Sequence, residues 1–204
     1  VTVFDSTPPT PVCISGMPLA LDENGEASIT ADDIDDGSFD NCTVVDLSID
    51  KTDFTCDNVG LNLVTLTVTD SSGLTSTCAA LVDVQDNIPP IALCNDITVE
   101  LDSSGNICIK VSDIDAGSTD NCGIARTWLS QECFDCTNVG ANTVTLYALD
   151  VNGNQSSCDA TVTVQDNIPP TVDCPGDITV EARGVACEAD VVLPPADASD
   201  NCDV

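Results

Sequence analysis

The sequence predicts an all-β protein of tandem immunoglobulin-like β-sandwich repeats, about 80 residues each and disulfide-bonded, on three observations. The first is repetition: DNIPP at 86 to 90 recurs letter for letter at 166 to 170, and a degenerate DSTPP stands at 5 to 9. The second is alternation. Ile97, Val99 and Leu101 share one face of a stretch, as do Val144, Leu146 and Ala148, and again Ala160, Val162 and Val164. Such period-two stretches between Asp, Asn, Gly and Ser turns are half-buried strands, and no stretch shows helical periodicity. Short strands with regular turns in so few residues suggest a small two-sheet sandwich. The third is cysteine: 13 in 204 residues. Units this small bury too little surface to be stable on burial alone, and cross-links supply the difference.

The period sets the organisation. VTVFDSTPP at 1 to 9 matches VTVQDNIPP at 162 to 170, so residues 1–9 read as the end of a repeat and its joint. Full repeats follow at 10–90 and 91–170, and 171–204 is the first part of a third. Cys42, Cys122 and Cys202 stand 80 apart, as do Cys56 and Cys136, Cys78 and Cys158, and Cys94 and Cys174. The chain reads as a piece of a longer one. Paired prolines fix φ and donate no hydrogen bond, so DNIPP neither continues a helix nor lies in a central strand; it is a stiff connector.

Composition bounds the function. Thirty-five acidic residues against four basic ones give a formal charge of −31, which argues against nucleic acid or an anionic membrane as partner. Of the 35, 29 are aspartate, a residue favoured in turns and in calcium loops. There is no histidine and no metal-type cysteine spacing, so the cysteines point to disulfides in an oxidising, extracellular compartment. No run of 18 apolar residues and no signal-peptide pattern occurs, so export is expected to be specified elsewhere in the full protein.

Comparing the copies separates inward from outward positions. Ala125, Thr127 and Leu129 correspond to Val45, Leu47 and Ile49 and read as inward; Arg126 and Trp128 correspond to Asp46 and Ser48 and read as outward. Tyr147, opposite Thr67, also points outward, on what would be a neighbouring strand. Trp128, Tyr147 and Arg126 are therefore a candidate lateral contact site that the first repeat lacks. The plainer reading is that loops or long side chains cover the rings.

CPGDITV at 174 to 180, ASDNC at 198 to 202, and a strand ending in aspartate followed by NGN at 150 to 154 together resemble the hyalin-repeat (HYR) family of extracellular modules. GSTDNC at 117 to 122, NVGANTVTL at 138 to 146 and the VQDNIPP joint are similar to the many-copy version in very large secreted surface proteins and adhesins of Bacteroidota. The resemblance spans essentially the whole chain. It implies an immunoglobulin-like sandwich, extracellular, in tandem, associated with adhesion or stalks, and no enzyme.

Disulfide pairing cannot be read from sequence alone, but differences between copies constrain it. The first repeat has only Cys13, Cys42, Cys56 and Cys78; Cys78 is in phase with Ala80, Val82 and Val84, which favours Cys13–Cys78 and leaves Cys42–Cys56. By analogy the second pairs Cys94–Cys158 and Cys122–Cys136, and its additional Cys108 and Cys133, absent together from the first, pair with each other. In the third, Cys187 is expected with Cys202, leaving Cys174 for a partner further on.

The carboxylates suggest a site. DDIDDGSFDN at 32 to 41 and SDIDAGSTDN at 112 to 121 keep three aspartates in step, and a further pair ends a strand before a glycine turn. Alternating strand direction would bring that loop and turn to the pole where the chain enters, beside the joint. The expected ligands are Asp86, Asn87, Asp113, Asp115, Asp120 and Asp150, with Asp5, Asp33, Asp35, Asp40 and Asp70 at the preceding joint. An all-oxygen set suits Ca2+, and cadherin-type arrays stiffened by calcium at their joints offer an analogy. The rival reading is turn-forming aspartates on a solvated surface.

The leading function is a structural array: the shaft of an extracellular adhesin or surface filament, contacting its own neighbouring repeats, with calcium at the joints. Catalysis is disfavoured by the absence of histidine, G-x-S-x-G and a phosphate loop. The alternative is a carbohydrate- or protein-binding module using Trp128 and Tyr147.

Overall fold

The computed structural model describes residues 5–182 and 189–202. The first repeat forms β1 (Met17–Ala20), β2 (Glu26–Ser28), a one-turn helix α1 (Ala31–Ile34), β3 (Val44–Ile49), β4 (Asp53–Thr55), β5 (Gly60–Asp70) and β6 (Thr75–Gln85). The second repeats the series as β7 (Ile97–Glu100), β8 (Asn106–Cys108), α2 (Val111–Ile114), β9 (Ile124–Leu129), β10 (Cys133–Asp135), β11 (Gly140–Asp150) and β12 (Gln155–Gln165). β13 (Thr171–Asp173) and β14 (Asp197–Ser199) pair antiparallel.

Each repeat has a four-stranded sheet, ordered β1-β6-β5-β3 and β7-β12-β11-β9, and a two-stranded ladder, β2-β4 and β10-β8. The first strand runs parallel to the last, Met17 opposite Val82 and Ile97 opposite Val162, while β5 is antiparallel to β6 and β3. Alternation along β5 and β6 buries Val64, Leu66, Val68, Ala80, Val82 and Val84, and the counterparts Val144, Leu146, Ala148, Ala160, Val162 and Val164 are buried likewise. The small ladder and one-turn helix close the opposite side of each core with Phe54 and Ile34, and with Phe134 and Ile114. Each such side chain contributes roughly 1.5 to 3 kcal/mol on full burial.

Two expectations are corrected. Period-two reading placed Val45 and Ala125 inward, yet both are exposed. The β3–β5 register shifts between Val44 and Asp46, and the extra residue of that bulge, Val45, is turned out of the core. The stretch read as free of helix also holds α1 and α2, each one turn long. Their first-turn aspartates cap them: Asp33 accepts the backbone N–H of Thr30 at 2.7 Å and Asp113 that of Lys110 at 2.8 Å.

The chain divides into two compact units. One holds Val1–Ala92, Ser118–Thr127 and Ala148–Ser156; the other holds Leu93–Gly117, Trp128–Tyr147 and Ser157–Val204.

Candidate metal centre and covalent joint

Asp150 ends β11 and folds the following turn onto its own carboxylate. Its Oδ1 accepts the N–H groups of Asn152, Gly153 and Asn154 at 2.6 to 2.9 Å, and Oδ2 accepts the Asn154 amide at 2.8 Å. Gly153 takes φ of 101°, the left-handed region that a side chain resists. Asp86, at the start of DNIPP, sits against this turn: Asn152 donates to its Oδ2 at 2.7 Å and Asn154 to its carbonyl at 3.0 Å. Asn121 donates to the other oxygen, Oδ1, at 3.2 Å. Asp120 Oδ2 accepts the backbone N–H groups of Cys122 and Gly123, both at 2.9 Å, which turns Oδ1 toward the interior.

The result is a cluster in the first unit: Asp86, Asp120 and Asp150 each offer an oxygen, all within 4.8 Å of one another, with Asp86 6% and Asp150 1% exposed. Asp120 Oδ1 and Asn121 Oδ1 are buried there without a hydrogen-bond partner. A buried, unpartnered carboxylate oxygen among other carboxylates is costly unless a cation accepts it.

The preceding joint, in the same unit, gathers Asp5, Asp40 and Cys42 within the same limit. Asp5 Oδ2, Asp40 Oδ1 and Asp70 Oδ2 are buried and unpartnered, and Asp70 is 1% exposed. A hydrogen bond to Asp5, together with burial and the charges of Asp5, Asp40 and Asp70, raises the Cys42 thiol above its usual range. The Thr7 N–H lowers the carboxyl of Asp5 in turn.

The other expected ligands are placed elsewhere. Asp33 and Asp113 cap the one-turn helices. Asp35 accepts the N–H groups of Gly37 and Ser38, and Asp115 that of Gly117. Asn87 is exposed, with its amide toward Gln85. Sequence reasoning passed over Asn121, Asn152 and Asn154, the amides that orient the cluster; the signal was their place beside the kept aspartates, in TDNC and in the NGN turn. Asn154 begins an N-Q-S sequon, but its amide is committed to Asp86 and Asp150.

The disulfides carry the largest correction. Cys13–Cys78, Cys94–Cys158 and Cys108–Cys133 form as expected. Cys42–Cys56 and Cys122–Cys136 do not: Cys56 bonds Cys122, 66 residues on, and Cys136 bonds Cys202 at the same separation. Cys42 and Cys174 are free thiols. With Cys202 taken, the expected Cys187–Cys202 bridge is overturned, and Cys187 itself lies outside the described residues.

The reason is a contact that tiling by repeats hides. Asn121 donates to the carbonyl of Asp22 at 3.2 Å, and its own carbonyl abuts Gly25, where an added Cβ would lie 3.0 Å from that oxygen and 2.6 Å from Cys56 Sγ. Cys122 thereby packs against the first repeat's core. In the second unit Asn201 repeats the arrangement, donating to the Asp102 carbonyl at 3.3 Å and to Asp166 at 3.1 Å, with Gly105 and Cys136 in the matching places.

Trp128 and Tyr147 stack with ring centroids 5.2 Å apart and planes 17° from parallel. Both are half-buried, so each ring covers part of the other; Arg126 on the same strand is exposed.

No family model matches the chain. It is 31% identical to hyalin of Strongylocentrotus purpuratus over 206 aligned residues, covering 88% of this chain and 16% of hyalin, so it spans about one-sixth of that relative's length. The homology supports a hyalin-repeat-like module. Among solved structures, the extracellular cadherin domains 1–4 of protocadherin gamma B7 align over 95% of this chain and 59% of theirs, at 11% identity and a TM-score of 0.35. Human protocadherin-24 EC1-2 aligns over 79% and 100%, at 11% and 0.39. The fibronectin(III)-like modules of Clostridium thermocellum CbhA align over 75% and 91%, at 12% and 0.31. Scores this low carry no structural argument. Hyalin homology and five disulfides among the described residues make this an extracellular, cell-surface repeat module. No helix among the described residues is long and apolar enough to cross a membrane.

Proposed function

We propose that the chain is a length of shaft in a large secreted adhesin or surface filament of the Bacteroidota type, non-catalytic, built of repeats bounded near 10–90 and 91–170, with calcium at its joints. The convergence of Asp86, Asp120 and Asp150, with Asp120 Oδ1 buried and unpartnered, carries this reading. Asp86 belongs to the connector, Asp120 to the loop before β9 and Asp150 to the end of β11, where its carboxylate holds the following turn. An ion on all three ties connector to loop and turn and relieves their mutual repulsion. Calcium suits the donors, since the buried atoms left without a partner are oxygens, Asp120 Oδ1 of a carboxylate and Asn121 Oδ1 of an amide, and water completes six to eight ligands. At the earlier joint the oxygens of Asp5, Asp40 and Asp70 serve, because thiols are poor calcium ligands.

Extracellular calcium sites work at dissociation constants of about 0.1 to 1 mM. At ten times such a constant, binding adds roughly 1.4 kcal/mol of stability per site. Melting in calcium and in chelator, with small-angle scattering of both, tests the reading: calcium raises Tm and narrows the distribution of shapes, and Asp150→Asn removes most of the effect. Superimposable curves with and without chelator overturn it.

A second reading is favoured by the Trp128–Tyr147 pair alone: a platform on the sheet's outer face on which a sugar ring or a partner's apolar side chain stacks. Glycan-array binding lost in Trp128→Ala distinguishes it from a pure spacer.

A further inference from the structure

We propose that the pole bearing Asn41 and Cys42 is a socket for one further repeat of the same kind, which seats a glycine turn on Asn41 and bonds a cysteine to Cys42. The structure shows the same socket filled twice. Asn121 and Asn201 each hold the joint aspartate, Asp86 at 3.2 Å and Asp166 at 3.1 Å, and Asn41 holds Asp5 in the same way at 3.3 Å. In the filled copies the same amide also donates to the carbonyl of Asp22 or Asp102, three residues before a glycine. The next residue, Cys122 or Cys202, is bonded to the cysteine beside that glycine. Asn41 and Cys42 are exposed and Cys42 is free, so the pole keeps its half of the arrangement without the occupant.

The filled copies define the occupant's chemistry. It presents D-x-x-G, as at 22 to 25 and 102 to 105, and C-x-N-V-G, as at 56 to 60 and 136 to 140. Glycine is required because its φ is positive, 75° at Gly25 and 71° at Gly105, and because a Cβ at Gly105 would lie 2.7 Å from both the Asn201 carbonyl oxygen and Cys136 Sγ. Both such turns in this chain are already engaged, by Cys122 and Cys202, and both bridges keep a separation of 66 residues within one polypeptide, so the occupant is an additional repeat of the same polypeptide in the same register. Bond formation consumes the Cys42 thiol, the occupant's thiol and one small-molecule disulfide such as oxidised glutathione. It yields the Cys42 disulfide and two reduced small thiols.

This inference stands on the disulfide register and is independent of calcium. Peptide mapping without reduction, on the protein isolated from its native surface with thiols blocked at lysis, tests it. The peptide containing Cys42 is expected linked to a C-x-N-V-G peptide, with under about a tenth of Cys42 alkylated. Denaturing electrophoresis without reductant is expected to give the monomer mass, and multimers resolved by reductant, which would place the occupant in a second copy, overturn the proposal. Cys42 recovered as a free thiol, capped by glutathione, or bonded to Cys174 overturns the proposal.

Discussion

Because the bridges interlock, tension on this protein travels through a short covalent path. From Cys13 the path crosses to Cys78, runs 16 residues to Cys94 and 14 to Cys108, crosses to Cys133, takes three to Cys136 and crosses to Cys202. That is about 33 residues, against 189 along the chain. At roughly 3.4 Å per extended residue, and with bridges spanning 5.9, 4.0 and 5.2 Å between Cα atoms, the oxidised segment is taut near 130 Å. Fully reduced, it reaches about 640 Å. Single-molecule stretching between tagged ends reads the difference as contour length. Cys136→Ser reroutes the path through Cys94–Cys158 and then 44 residues to Cys202, about 60 in all, adding about 90 Å. Cys56→Ser removes a bridge off the shortest path and adds nothing, while lowering stability by about 4 kcal/mol for a loop of this length. Contour gains of several hundred ångström from the oxidised protein, or equal gains from the two variants, refute the connectivity.

Gly25→Ala forces a Cβ 2.6 Å from Cys56 Sγ at φ of 75°, whereas Gly37→Ala meets open space at φ of 88°. The second should lose about 1 to 2 kcal/mol and the first distinctly more, with slower closure of Cys56–Cys122, by denaturant unfolding and thiol trapping. The carboxyls of Asp22, Asp33 and Asp135 are held below 3.8, chiefly by the Glu26 N–H, the Thr30 N–H and the Thr137 hydroxyl respectively. Their contribution is therefore complete above that value and lost as pH falls through the lower folded values. In chelator, Tm should rise from pH 7 to about 4.5 as the −31 charge is relieved, then fall below about pH 4; a continuous rise to pH 2 contradicts this. Trp128→Ala and Tyr147→Ala in a double-mutant cycle should show a coupling of about 0.5 to 1.5 kcal/mol, absent if the rings do not stack.

The strands were legible because alternation and repetition are properties of adjacent residues. Val144, Leu146 and Ala148 announce a buried face by themselves, and their counterparts in the first repeat confirm the phase. Bulges are not legible that way: Val45 looks like a core residue until the pairing with β5 shows that one position too many lies between Val44 and Asp46. That Trp128 and Tyr147 are neighbours was legible because both replace polar residues at cross-strand positions, Ser48 opposite Thr67 in the first repeat; that the rings stack and half-bury each other was not. The carboxylate cluster was half legible. Position along the chain brought Asp86, Asp120 and Asp150 together, but could not tell them from Asp33 and Asp113, whose carboxylates cap helices too short to leave a periodicity. Cys42–Cys56 and Cys122–Cys136 were misread for a different reason. Tiling at DNIPP treats the repeat as closed, and a bridge of 66 residues that leaves one tile for the next is excluded before geometry is considered.

The tripeptide Asp-Asn-Cys at 120 to 122 carries three separate parts of the joint. Asp120 turns an oxygen into the carboxylate cluster, Asn121 donates both to Asp86 and to the Asp22 carbonyl, and Cys122 bonds Cys56. Asparagine at the centre is a chemical requirement, because an aspartate there offers no N–H and adds a further carboxylate facing Asp86. Asn121→Asp therefore removes two hydrogen bonds and increases repulsion at one stroke, whereas Asn121→Ala removes the bonds alone. The aspartate variant should be the less stable of the two in chelator, and saturating calcium should narrow the gap, since the added carboxylate gives the ion another oxygen. Equal melting of both variants in both conditions would show that the cluster at Asp86, Asp120 and Asp150 neither repels the new charge nor gathers a cation.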